Sequence, residues 1–222
     1  MCKRANSQWK KRDTFTMFPL DTVFCESRTI NLNFCVAYLR NICIFALMDN
    51  NEYFDVEIDK LTNSIEKRID GSVYDTKVIQ LSAKDKIIIR KGEWRFDWHK
   101  ELSNTNRNVY KLVIINDLST IQGLMSLEVK TDHIYLHLIE SASFNCGKNK
   151  VYLGIPGNLV AFACKTSFAY GFDGYVAFDA KTALIKHYQE TLYATHFKGT
   201  KMFIETIAAL RLIKQYFNNI NN

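Results

Sequence analysis

The chain has 222 residues, 47% of them hydrophobic and 23% charged, with only nine Gly and two Pro, which excludes a disordered or fibrous polymer and fits a globular domain with a real core. The formal net charge is +6, but residues 1–47 carry seven basic against three acidic side chains and the remainder 22 against 20. A body so near neutrality has no footprint for a phosphate backbone, so nucleic acid is not an expected partner.

The stretch Phe34–Met48 is apolar but interrupted by Arg40, and its fifteen or so residues fall short of the roughly twenty that span a bilayer. No membrane association is expected. Composition changes at Met48, where Met-Asp-Asn-Asn-Glu reads as an ordinary soluble start. Residues 1–47 are therefore expected to be an N-terminal extension outside the native protein, with Met48 as the alternative start. A packed helical appendage is the rival reading, and 48–222 forms a single domain under both. Four of the six cysteines lie in the first 47 residues, no Cys-x-x-Cys pair exists, and reduced thiols in a cytoplasmic protein are expected. His133 and His137 are four apart but on a strand, a spacing that does not bring them together, so no metal site is expected.

Apolar residues from Phe54 to Ile69 recur partly at helical spacing, with Asp70-Gly71 as a stop, and predict a helix. Thr76–Leu81 reads as a strand, Ser82–Ile88 as a short helix and Trp94–Leu102 as a second helix. Val109–Asn116, Ile121–Val129 and Asp132–Phe144 are β-rich and separated by short loops, hence antiparallel hairpins. A polar loop with Lys148 and Lys150 leads to a helix over Pro156–Ala169, with Pro156 in its first turn and Gly171 at its end. Strand Gly174–Asp179, helix Thr182–Leu192, strands Ala194–Phe197 and Lys201–Glu205, and a helix Ile207–Phe217 follow. Hairpins first and βαβα second predict an α/β domain on a mixed sheet.

Three features stand in fixed order: a strand ending Leu136-His-Leu-Ile-Glu140, the turn Leu153-Gly-Ile-Pro-Gly-Asn158 opening a helix, and a helix ending His187-Tyr-Gln-Glu-Thr-Leu-Tyr-Ala194. Their order and spacing resemble the GNAT superfamily of N-acetyltransferases over roughly Tyr110–Glu205. The resemblance implies a mixed, mostly antiparallel central sheet of about six to seven strands flanked by helices. It implies acetyl-CoA as co-substrate, its pyrophosphate held by the turn and the helix N-terminus. Gly154, Ile155, Pro156, Gly157 and Asn158 are then the cofactor-binding turn, Leu138 and Ile139 the strand beside the thioester, and Lys181 a further phosphate contact. The physics agrees: N–H groups at a helix start sit at the positive end of its dipole, and glycines admit close approach. The sequence departs from the family pattern at Val151, Pro156, Lys181 and Tyr193.

Acetyl transfer from a thioester to an amine needs a base for the amine and a proton for the thiolate. By resemblance Tyr188 is the acid. Glu140 is the candidate base, acting through a water, with a solvent-facing carboxylate as the even alternative. His137, on the opposite face from Glu140 under strict alternation, is the second candidate base, and a hydrogen-bonded structural histidine is its other reading. Amides near Ile139 and Glu140 polarise the acetyl carbonyl if a bulge exposes them. Glu128 either lines the acceptor pocket or faces water. Trp94, Phe96 and Trp98 form either a ligand-stacking cluster or a helix packed on the sheet. The expected function is an acetyl-CoA-dependent N-acetyltransferase acting on an unidentified primary amine, with a homodimer as the expected assembly. The alternative is a non-catalytic acyl-CoA-binding or protein-interaction module that keeps the fold.

Overall fold

The structure is a computed structural model that describes residues 64–90 and 92–217. The expected boundary at residues 47–48 and the helix expected over 54–63 lie outside the described residues. The backbone builds β1 (Ile65–Lys67), β2 (Val73–Tyr74) and β3 (Thr76–Gln80), a 3-10 turn (Ala83–Ile88), α1 (Trp98–Ser103), and the hairpin strands β4 (Asn108–Ile114), β5 (Gly123–Val129) and β6 (Ile134–Ser141). A short β7 (Tyr152–Leu153) then leads into α2 (Ile155–Ala169), β8 (Val176–Asp179), α3 (Ile185–Thr191), β9 (Thr195–Lys198), β10 (Lys201–Ile204) and α4 (Thr206–Phe217).

Seven strands form one sheet in the order β3-β4-β5-β6-β8-β10-β9. Its β6–β8 neighbours are parallel and the other pairs antiparallel, so the mixed sheet expected from the resemblance is present. The parallel pair follows from the chain: α2 carries it across one face and returns β8 in the direction of β6, as a crossover helix must.

Side-chain alternation splits the sheet into two faces. Leu112, Met125, Leu127, Leu136, Ile139 and Phe178 join α2 and α4 in the larger core, while Val109, Leu124 and Leu138 join Trp98 of α1 in a smaller one. Helix α2 is buried almost all round because the sheet lies on one side and α4 on the other. Gly154 sets its start with φ 86°, Pro156 fits its first turn, and Gly171 with φ 79° ends it. Helix α4 buries Ala208, Ala209, Leu212 and Tyr216, one stripe at helical spacing.

Two elements differ from the sequence reading. Ile65–Lys67, expected at the end of a helix, is instead the strand β1. It pairs with β2 on one side and with Tyr152–Leu153 of β7 on the other, and that long-range partner overrides the local helical spacing. The helix expected from Trp94 begins only at Trp98. Asp97 caps it, its carboxylate accepting from the His99 and Lys100 amides, and the segment before it turns onto the sheet.

Candidate active site

Strands β6 and β8 share only two register pairs, Ile134↔Val176 and Tyr135↔Ala177. Beyond them β8 keeps its pairing with β10, Phe178 with Met202 and Asp179 with Lys201, while β6 runs on to Ser141. From Leu136 onward the β8-facing edge of β6 therefore has no strand partner among the described residues. In this interval the β5–β6 register also shifts: Ser126 pairs with Leu138 but Leu127 with Leu136, so His137 is an extra residue. The strand bulge on which carbonyl polarisation depended thus exists, one to three residues before the amides named for it.

The bulge changes which side chains meet. Strict alternation put His137 opposite Glu140, but the extra residue turns both toward the α1 face. His137 Nε2 lies 2.7 Å from Glu128 Oε2, and Lys130 Nζ donates to the other oxygen of Glu128 at 2.6 Å. Burial opposes ionisation of Glu128, but the hydrogen bonds from His137 and Lys130 outweigh it and bring the carboxyl down to about 2. The His137 ring packs at 4.7 Å on that of Tyr135. The Tyr135 hydroxyl donates to Asp179 across the mouth where β6 and β8 part, and Thr200 and Lys201 complete the Asp179 shell at 2.8 and 3.5 Å. Burial and the Asp179 bond push the phenol up, whereas Asp179, despite its own burial, is held below the usual carboxylate range by Tyr135, Thr200 and Lys201. Behind this network Glu101 of α1, only 2% exposed, accepts from Arg107 and from Ser126 of β5.

Glu140, the expected base, accepts three hydrogen bonds from one segment. One of its oxygens accepts from the Arg95 amide at 2.6 Å; the other accepts from the Phe96 amide at 3.3 Å and the Trp98 indole at 2.8 Å. These bonds tie the Arg95–Trp98 segment to the end of β6, and the expected solvent-facing alternative for Glu140 does not describe its carboxylate. That segment, with Ile89, Trp94, Asp97 and His99, lines a surface cavity of about 230 Å³.

The Leu153–Asn158 turn runs from β7 into α2, and the first turn of that helix is covered. Gly154, Ile155, Pro156, Gly157 and Asn158 are all buried. A Cβ on Gly157 would overlap the Tyr216 hydroxyl of α4, so this glycine permits helix–helix approach; the phosphate approach expected of it is corrected on that ground. Asn158 points inward, donating to Thr76 Oγ1 at 3.0 Å, while its own Oδ1 is buried without a partner among the described residues. Leu138 and Ile139 lie on opposite faces, one in each core. Lys181 is exposed at the end of β8. Tyr188 is fully buried, with its ring edge-on to Phe178 at 5.7 Å.

No family model and no curated protein sequence matches the chain. Solved structures similar to it include two described as N-acetyltransferases and one described as a complex with acetyl-CoA. A chimera of the Vibrio cholerae spermidine N-acetyltransferase SpeG with hSSAT is 14% identical, covering 61% of this chain and 98% of that one, TM-score 0.37. AtaTR bound with acetyl-CoA is 14% identical over 62% and 98%, TM-score 0.42. The ribosomal-protein-alanine N-acetyltransferase of Escherichia coli is 14% identical over 59% and 90%, TM-score 0.35. The fold class of this chain rests on its own sheet order and bulged strand.

Sequence reasoning missed Tyr135, Asp179 and Lys130. The pairing of Tyr135 with Asp179 joins residues 44 apart, and no local pattern announces it. Glu128 and His137 were both noted, but the register that sets Glu128 opposite Tyr135, two residues from His137, was not. Among the described residues no group of three or more His, Cys, Asp or Glu is arranged to hold a metal ion, and no helix is long and apolar enough to cross a membrane.

Proposed function

We propose that this chain is an acetyl-CoA-dependent N-acetyltransferase acting on a primary amine. The observation that carries the reading is the opened edge of β6, which loses its strand partner after Tyr135 and bulges at His137. An extended pantetheine arm with amide groups can lie along such an edge as a strand would, and a backbone N–H of the bulge can donate to the thioester carbonyl. The amine then attacks that carbonyl, the N–C bond forms and the C–S bond breaks.

Tyr188 enters this reading as the acid for the departing thiolate. Gly154, Ile155, Pro156, Gly157 and Asn158 enter it through backbone dipoles alone, since all five residues are buried, with Lys148, Lys150 and Lys181 adding positive charge. Glu140 enters as the anchor of the acceptor-side segment. The reading places the protein in the cytoplasm, where acetyl-CoA is made and used, with a homodimer as its assembly.

A second reading, an acyl-CoA-binding module without turnover, is favoured by the burial of that first helical turn. Release of free thiol from acetyl-CoA in the presence of an amine panel separates the two. Transfer predicts amine-dependent thiol release that falls about 10²–10⁴-fold in Tyr188→Phe, the range typical of a lost proton donor. Binding of acetyl-CoA with no release above background for any amine would leave the second reading standing.

A further inference from the structure

We infer that the base of the proposed transfer is His137, oriented by Glu128, and not Glu140. The inference deepens the reading above and rests on it. Its first ground is elimination: both oxygens of Glu140 already hold donors from the Arg95–Trp98 segment, among them the indole of a tryptophan 1% exposed. Protonating Glu140 would break that anchor in every turnover.

Its second ground is position. His137 is the bulged residue itself, on the part of β6 that has lost β8, with a side chain 13% exposed. A side chain there is largely withdrawn from water yet borders the edge on which the thioester would lie. The third ground is the tautomer. An ionised Glu128 can only accept, so the His137 nitrogen facing it at 2.7 Å, Nε2, must donate. Nδ1 then carries the lone pair, and no hydrogen bond reaches it from the described residues. A carboxylate fixing one imidazole nitrogen so that the other is a base is a recurrent arrangement. Glu128 is the positioning residue, itself held by Lys130.

The step balances without any further reactant. His137 Nδ1 takes one proton from the acceptor ammonium, and the neutral amine attacks the acetyl carbonyl. The second nitrogen proton leaves as the amide forms, one proton reaches the departing thiolate, and His137 returns its own to solvent. The charged and titratable groups on this face are Glu128 from β5, Lys130 just after it, Tyr135 and Glu140 from β6, Asp179 from β8, Lys201 from β10, Glu101 from α1, and Arg107 just before β4. Each of them holds a partner of its own.

The test uses the full chain with the best amine of the panel, measuring kcat from pH 5 to 9 for wild type, His137→Gln and Glu128→Gln, with acetyl-CoA binding followed by calorimetry. The expected result is at least a 100-fold fall in kcat for His137→Gln at neutral pH, acetyl-CoA affinity within threefold of wild type, and loss of the acid limb of the wild-type profile. Glu128→Gln should fall less and shift that limb while keeping it. A His137→Gln enzyme with wild-type kcat and the same acid limb overturns the inference, as does loss of acetyl-CoA binding in step with activity, which marks a structural role. Failure of wild type to release thiol with any amine would instead remove the transfer reading, and this inference with it.

Discussion

Glu140 is a residue at which an expected catalytic role meets a set of three structural hydrogen bonds. Its place at the end of the strand bordering the opened edge suggested a base; the structure gives its carboxylate two backbone amides and one indole to hold. The two tasks predict different behaviour. Glu140→Ala leaves the Trp98 indole buried without an acceptor and releases two amides, a cost of about 1–3 kcal/mol for the indole alone. Glu140→Gln keeps an acceptor oxygen and should cost clearly less. Thermal melts should therefore rank wild type, Gln and Ala in that order, with activity following the folded fraction. Equal melting temperatures, with activity lost alike in both variants, would restore Glu140 as a base. His137, for which the sequence left a base and a structural histidine side by side, is the residue at the bulge.

At the scale of elements, the strands and helices from Thr76 onward were largely legible. Their periodicity, the Pro156–Gly171 punctuation and the short hairpin loops all act locally. What escaped was what distant partners decide: β1, made a strand by β7; the late start of α1, set by Asp97 and Glu140; and the bulge, a one-residue mismatch between β5 and β6. The glycine turn was legible in place but not in purpose. Gly157 was read as room for a phosphate, and the structure shows room for Tyr216. Gly157→Ala should thus destabilise by about 1–3 kcal/mol through overpacking, and by less in a Tyr216→Leu background, where the hydroxyl is gone. Chemical denaturation of the four proteins measures this coupling. Strict additivity would mean that α4 does not meet α2 at this glycine.

At the scale of the described residues together, a seven-stranded sheet holds a polar network on its α1 face and a large apolar core under α2 and α4, and its parallel seam parts after two residue pairs. That parting is the structural basis of the proposed activity, because it leaves one strand edge for an extended acyl carrier. The same architecture covers the first turn of α2, so the phosphate end of a carrier has to be met by backbone dipoles and by the nearby lysines. The proposed chemistry therefore depends first on whether acetyl-CoA binds, and titration calorimetry of the full chain with acetyl-CoA measures that most directly. The account predicts saturable heat with a dissociation constant in the micromolar range, roughly −8 kcal/mol at 1 μM, weakened as salt screens the lysine contribution. No heat at millimolar acetyl-CoA would contradict it.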